Sequence, residues 1–188
     1  MNTREKSVNE IITILHTMHA CGGSIIWLKT QESWASAWAN CERGDWMLWL
    51  LGKLSGPAWG EKRKPLVLAA CECARLALPY TKDERVLKCI EIVEAWTRGE
   101  ASLEQVRAAA DAADAAADAD AAAAAADAAA AAAAAYAAAD AAADAYADAA
   151  AAAAAYAAAA DAARSKILKQ CADIVRRHYP IAPNLEDA

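Results

Sequence analysis

Six cysteines (Cys21, Cys41, Cys71, Cys73, Cys89 and Cys171) and three histidines are the residues of this 188-residue chain equipped to close a disulfide or hold a metal ion. Their spacing favours neither. There is no C-x-x-C pair, and Cys71-Glu72-Cys73 sets two sulfurs on different sides of a helix. His16 and His19 lie three apart and can share a helix face, but neither an H-E-x-x-H pattern nor a third ligand accompanies them. Buried free thiols acting as small apolar groups are expected instead, with no metal and no cofactor. No G-x-S-x-G, G-x-G-x-x-G or P-loop pattern occurs, and the expectation is a protein that is not an enzyme.

Two short charged motifs remain. Lys62-Arg63-Lys64, in a loop with Gly56-Pro57, is the one obvious anion site and the feature a nucleotide-binding sponge would need. Arg43-Gly44-Asp45 spells a tripeptide that some cell-surface receptors read. It precedes an apolar run, so a helix start with Asp45 as the cap and a local ion pair is the expectation.

The strongest chemical bias is acidic. From Ala108 to Ala163 the chain consists of 44 alanines, nine aspartates and three tyrosines. Residues 1–107 carry 14 basic and 13 acidic groups, residues 108–163 carry nine acids and no base, and residues 164–188 carry five bases and three acids. All of the formal net charge of −6 therefore sits on the alanine segment. Such a face repels nucleic acid and anionic lipid and favours a basic protein partner. As a linear mimic of DNA it is too dilute: one charge per ~9 Å of helix, against one per ~1.7 Å of duplex.

Threonine, which spaces ice-binding faces, is absent from the segment. The polar start Met1–Glu10 has no apolar signal-like run, and the acid-free stretches Ala128–Ala139 and Ala149–Ala160 are 12 residues each. A membrane-spanning helix needs about 20. The expectation is a soluble, cytoplasmic chain with no membrane contact.

These groups must be carried by helices. Alanine is the best helix former, and no glycine or proline interrupts the segment. Ser7-Val8-Asn9-Glu10, Thr81-Lys82-Asp83-Glu84 and Ser102-Leu103-Glu104-Gln105 each have the form of a capping box. The first opens a helix through Val8, Ile11, Ile12, Leu15 and Met18, which Gly22-Gly23 should stop; short helical pieces follow around Trp27 and around Trp34–Trp38, and Trp46–Leu54 reads as a buried helix. Pro65 suits the first turn of a helix reaching about Leu78, where Pro79 ends it, and Gly99 ends the next.

The alanine segment alone would make a rod of ~84 Å, against a radius of gyration of ~16 Å for a compact chain of this length. Breaks at Asp118/Asp120 and at Asp140/Asp144/Asp148 would fold it into antiparallel helices. A pentapeptide β-helix is excluded, because the aspartates occupy all five phases of a five-residue period and no leucine or phenylalanine fills an interior. Ile167, Leu168, Cys171, Ile174 and Val175 restore an amphipathic stripe that should return to the body, followed by a loosely held tail Pro180–Ala188. The fold class expected is all-α: a tryptophan-rich helical body (1–107), an alanine-rich long helix or antiparallel hairpin (108–163), and a C-terminal helix and tail packing on the body (164–188), forming one domain.

Seven tryptophans and no phenylalanine make an unusual core, since each buried indole N–H needs an acceptor. Trp27, Trp46, Trp49 and Trp96 are assigned to the core. Trp34, Trp38 and Trp59, beside polar residues or in a Gly/Pro loop, are the candidates for exposed partner anchors.

The segments Ala37–Leu50, Leu66–Arg75 and Ile92–Trp96 ahead of the Ala/Asp/Tyr repeat, with the closing Ile174-Val175-Arg176-Arg177-His178-Tyr179-Pro180, resemble a family of phage and bacterial immunity proteins of the Imm-5-like type. The likeness extends over nearly the whole chain. It implies a small intracellular binder that neutralises a toxin or a host defence complex such as a CRISPR effector, and it transfers no chemistry residue by residue. The expected function is a non-enzymatic inhibitor occluding a basic surface of a protein partner. Its contact residues would be Trp34, Trp38, Trp59, Asp111, Asp114, Asp118, Asp140, Asp144 and Asp148. The competing classes are a structural protein that oligomerises through its alanine helices and the nucleotide sponge.

Overall fold

The computed structural model describes residues 6–56, 60–76, 78–80, 84–120 and 161–185. Among the described residues there are eight α-helices and no strand: α1 (Val8–Thr17), α2 (Gly22–Leu28), α3 (Trp34–Asn40), α4 (Gly44–Leu54), α5 (Lys64–Arg75), α6 (Glu84–Thr97), α7 (Leu103–Asp120) and α8 (Asp161–His178). The fold is all-α.

Local chemistry sets most of the boundaries. At α1 the Ser7 amide donates to Glu10 Oε2 (2.8 Å) while the Glu10 amide donates to Ser7 Oγ, a reciprocal cap. At α7 the Ser102 amide donates to Gln105 Oε1 (2.7 Å) and the Gln105 amide to Ser102 Oγ (3.2 Å). Pro65 sits in the first turn of α5. Gly99 closes α6 with φ +80°, its amide on the Trp96 carbonyl and that of Glu100 on Ala95. The Thr81 capping box lies outside the described residues.

Two boundaries differ from expectation. The pair Gly22-Gly23 opens α2 instead of stopping α1. His19 does the stopping: it takes φ +64°, its amide bonds the His16 carbonyl, and the Ala20 amide bonds that of Leu15, which closes the helix before the glycines are reached. Helix α5 ends at Arg75, short of Leu78, and Leu78–Tyr80 forms a separate 3-10 turn containing Pro79.

The tertiary order differs from the chain order. Helix α7 packs on α6, α6 on α5, α5 on α8 and α8 on α4, so the last helix returns to lie between two that are neighbours in sequence. The C-terminal stripe thus packs on the body, through the buried Ile167, Leu168, Cys171, Ala172, Ile174 and Val175. The tail is held more firmly than expected: Leu185 is buried and Trp34 Nε1 donates to the Pro183 carbonyl (2.9 Å).

Small side chains fill the buried faces of α5 and α8, with Ala69, Ala70, Cys71, Cys73, Cys171 and Ala172 all fully enclosed. Helix α4 approaches α8 so closely that a Cβ on Gly44 would come within 2.6 Å of the Ala172 backbone nitrogen. Only glycine fits there. All six cysteines are free, five of them buried and Cys21 exposed. Burial pushes the Cys89 thiol up to about 11 and those of Cys71 and Cys73 well above 9.0, so these sulfurs behave as neutral apolar groups.

Helix α7 runs through Asp118 to Asp120. The break expected at Asp140, Asp144 and Asp148, and with it the choice between rod and hairpin, lies outside the described residues.

Candidate functional site

The opposite flank of α4 is built differently. Trp46 and Trp49 are three apart on α4, and Trp34 and Trp38 four apart on α3, so each pair projects from one face of its helix. With Trp27 of α2 they line a half-open cavity of about 350 Å³. Trp27 and Trp46 meet at 5.9 Å between ring centroids with planes tilted by 56°, and Trp34 and Trp38 at 6.4 Å and 52°. Both pairs are tilted, between stacked and edge-to-face. His19, Cys21 and Ser24, in the α1–α2 turn and the start of α2, complete the rim.

One ion pair stands in the wall. Arg43 Nε donates to Asp45 Oδ1 at 2.8 Å and its Nη2 pairs with Oδ2, while the guanidinium carbon lies 4.3 Å from the centroid of Trp46. The bond to Asp45 holds the guanidinium pKa above its already high ordinary value. Arg43-Gly44-Asp45 is therefore fully accounted for by packing: the arginine on an indole, the glycine against α8, the aspartate in the first turn of α4. The ion pair expected from sequence is present. The cap assignment is corrected, since Arg43 holds the N-cap position without a side-chain bond and Asp45 lies two residues further in, within the first turn, where its charge favours the helix dipole.

The indoles divide into two sets. Trp38 Nε1 donates to the Tyr179 carbonyl and Trp34 Nε1 to that of Pro183, both at 2.9 Å, which ties α3 to the C-terminal tail. Arg176 adds a bond from Nη1 to the Cys41 carbonyl (2.6 Å) at the end of α3. Among the described residues no acceptor meets the indole N–H groups of Trp27, Trp46 and Trp49.

Several sequence assignments change here. Trp38 is corrected from exposed anchor to core: it is 3% exposed, because the chain end folds over it. Trp34 is half-buried, and Trp59 lies outside the described residues. Trp96 is buried as expected, but Trp27, Trp46 and Trp49, also assigned to the core, are partly exposed around the cavity. Their helical spacing was the signal for a shared face; nothing local marks that face as open. Asp111 is exposed on α7. Asp111 does not line the cavity; Asp114 and Asp118 are on α7 with side chains outside the description, and Asp140, Asp144 and Asp148 lie outside the described residues.

The basic loop is also corrected. Arg63 is buried, donating from Nη2 to the Gly52 carbonyl (3.1 Å) and from Nη1 to that of Gly56 (2.9 Å), which satisfies the end of α4. Lys64 pairs with Glu61 at 2.8 Å and lies 5.9 Å from the Trp96 ring centroid. Two of the three cations of the expected anion site are thus engaged within the protein.

Among the described residues no three His, Cys, Asp or Glu side chains group as metal ligands, and no helix is long and apolar enough to cross a membrane. Compared with protein-family models, curated proteins and solved structures, the chain matches none.

Proposed function

We propose that this chain is a non-enzymatic binding protein that inhibits a protein partner by covering a basic surface, in the manner of immunity or phage anti-defence proteins such as those directed at CRISPR effectors. The observation that carries the proposal is a segregation of charge. Several acids of the body meet bases: Arg75 holds Glu94 with two bonds (2.7 and 2.8 Å), Glu72 meets Arg177 (2.8 Å) and His178 (2.7 Å), and Glu42 pairs with Lys169. Asp111, exposed on α7, begins a run of nine acids in which no base occurs. A run of acids without bases of its own attracts a basic partner over distances of a Debye length, accelerates encounter and disfavours anionic partners.

The resemblance to the immunity-type family supports the same reading. The nucleotide sponge loses its support with the engagement of Arg63 and Lys64.

The test is to capture the partner on the immobilised chain and compare its affinity for the wild type with that for the combined Asp140→Ser, Asp144→Ser, Asp148→Ser variant at low salt. A loss of about tenfold, or about 1.4 kcal/mol, is expected. Unchanged affinity would remove the electrostatic account.

A further inference from the structure

We infer that the tryptophan-lined cavity between α2, α3 and α4 is a binding site for a neutral, planar aromatic molecule carrying a carbonyl acceptor. This goes beyond the proposed inhibitory function and is independent of the acidic segment. The volume of about 350 Å³ lies within the range of pockets that enclose small ligands, roughly 300–1,000 Å³. Five of the seven tryptophans form its wall, and tilted indoles offer flat apolar faces on which an aromatic ring stacks.

Polar groups in the wall then select the ligand. The indole N–H groups of Trp27, Trp46 and Trp49 are donors only and have no acceptor among the described residues. Arg43 uses Nε and Nη2 on Asp45, leaving Nη1 as a further donor without a bond among the described residues. Residues that line the cavity thus carry donors that no described acceptor engages, and a ligand carbonyl at the wall can accept from them.

Charge excludes the alternatives. An aromatic wall with a carboxylate would ordinarily suit an organic cation. Here Arg43 already occupies both the face of Trp46 and the carboxylate of Asp45, so a cationic ligand must displace it from two partners. An anionic ligand reaching Arg43 faces Asp45 at the same place. The neutral acceptor is the form with neither penalty.

Three probes with one ring system separate these cases: methyl naphthoate, naphthoate and naphthylmethylammonium, titrated against the full chain and read by quenching of intrinsic tryptophan fluorescence. Methyl naphthoate is expected to quench saturably with a Kd below about 1 mM and to bind about tenfold or more tighter than either charged analogue. Ser24→Phe fills the cavity from the rim, where among the described residues the Ser24 hydroxyl bonds only the Cys21 carbonyl of its own turn (2.8 Å). It should weaken the ester about tenfold or more with the helical circular dichroism unchanged. Should that variant fail to fold, Trp49→Leu on α4 serves the same purpose. Absence of saturable quenching by the ester, equal binding of the ammonium compound, or an ester affinity indifferent to the folded cavity variant would each overturn the inference.

Discussion

The two flanks of α4 are built on opposite rules. Toward α8 the helix comes so near that position 44 admits no side chain, and the seam behind it is sealed with alanines and cysteines. Toward α2 and α3 the same helix carries Trp46 and Trp49, and large rings stand around an opening of about 350 Å³. Small residues let backbones close up and exclude everything else; rigid rings spaced along helices hold a space that other molecules can enter. One side of α4 is closed, the other open. Trp38 marks the frontier, with its body buried and its N–H fastened to the returning chain at Tyr179.

Breaking the sealed side should cost most. Gly44→Val forces a side chain into the Ala172 backbone, and urea denaturation is expected to show a loss of more than about 4 kcal/mol or no cooperative unfolding at all. Trp38→Ala should cost about 3–4 kcal/mol, since a buried ring and a bond to the chain end go together. Trp49→Ala, at a partly buried ring on the open side, should cost under about 2 kcal/mol in the same assay. Equal losses for the two tryptophans would erase the distinction between the flanks.

Alkali tests the sealed side more gently. Burial raises the Cys89 thiol from 9.0 to about 11, so above pH 9 the unfolded chain gives up this proton while the folded chain keeps it. The contribution is intact below pH 9 and declines as pH rises, by about 1.4 kcal/mol per pH unit until the folded thiol titrates as well. Cys71 and Cys73 act in the same direction, and Tyr179, pushed up to about 12 from 10.0, extends the decline. Stability measured at pH 8 and pH 10 should therefore differ, with the higher pH weaker. The smallest effect belongs to the open side: a thiol reagent should modify Cys21 at the cavity rim within the folded protein, with little change in stability, and reach the five buried thiols only on unfolding. Rapid reaction of Cys71, Cys73 or Cys171 would contradict the seal.

The helices were largely legible in the sequence because their signals are local. Ser7, Pro65, Gly99 and Ser102 act on backbone groups within a few residues, and the structure places each where its chemistry requires. The tryptophans were not. Trp38 sits among polar neighbours in sequence, yet its burial comes from a chain segment 141 positions away. Trp46 belongs to an apolar run, yet one face of that run meets a cavity. The glycine pair misled for a related reason: His19 accepted the left-handed conformation that glycine normally supplies, so Gly22-Gly23 was free to begin the next helix. Gly44 looked like a helix start inside a receptor tripeptide, and only the return of α8 reveals why a side chain is forbidden there.

Charge is divided as unevenly as side-chain size. Ion pairs such as Arg75–Glu94 and Arg177–Glu72 bind helices of the body to one another, whereas the acids that begin at Asp111 have no bases within their own segment. The central claim is that these acids guide the chain to a basic partner. The association rate with the captured partner, followed by stopped-flow tryptophan fluorescence as ionic strength rises from about 0.01 M to 0.15 M, tests it most directly, because the Debye length falls from about 30 Å to 8 Å over that interval. The account predicts that the association rate falls by about tenfold or more while dissociation changes little. An association rate indifferent to salt would contradict it.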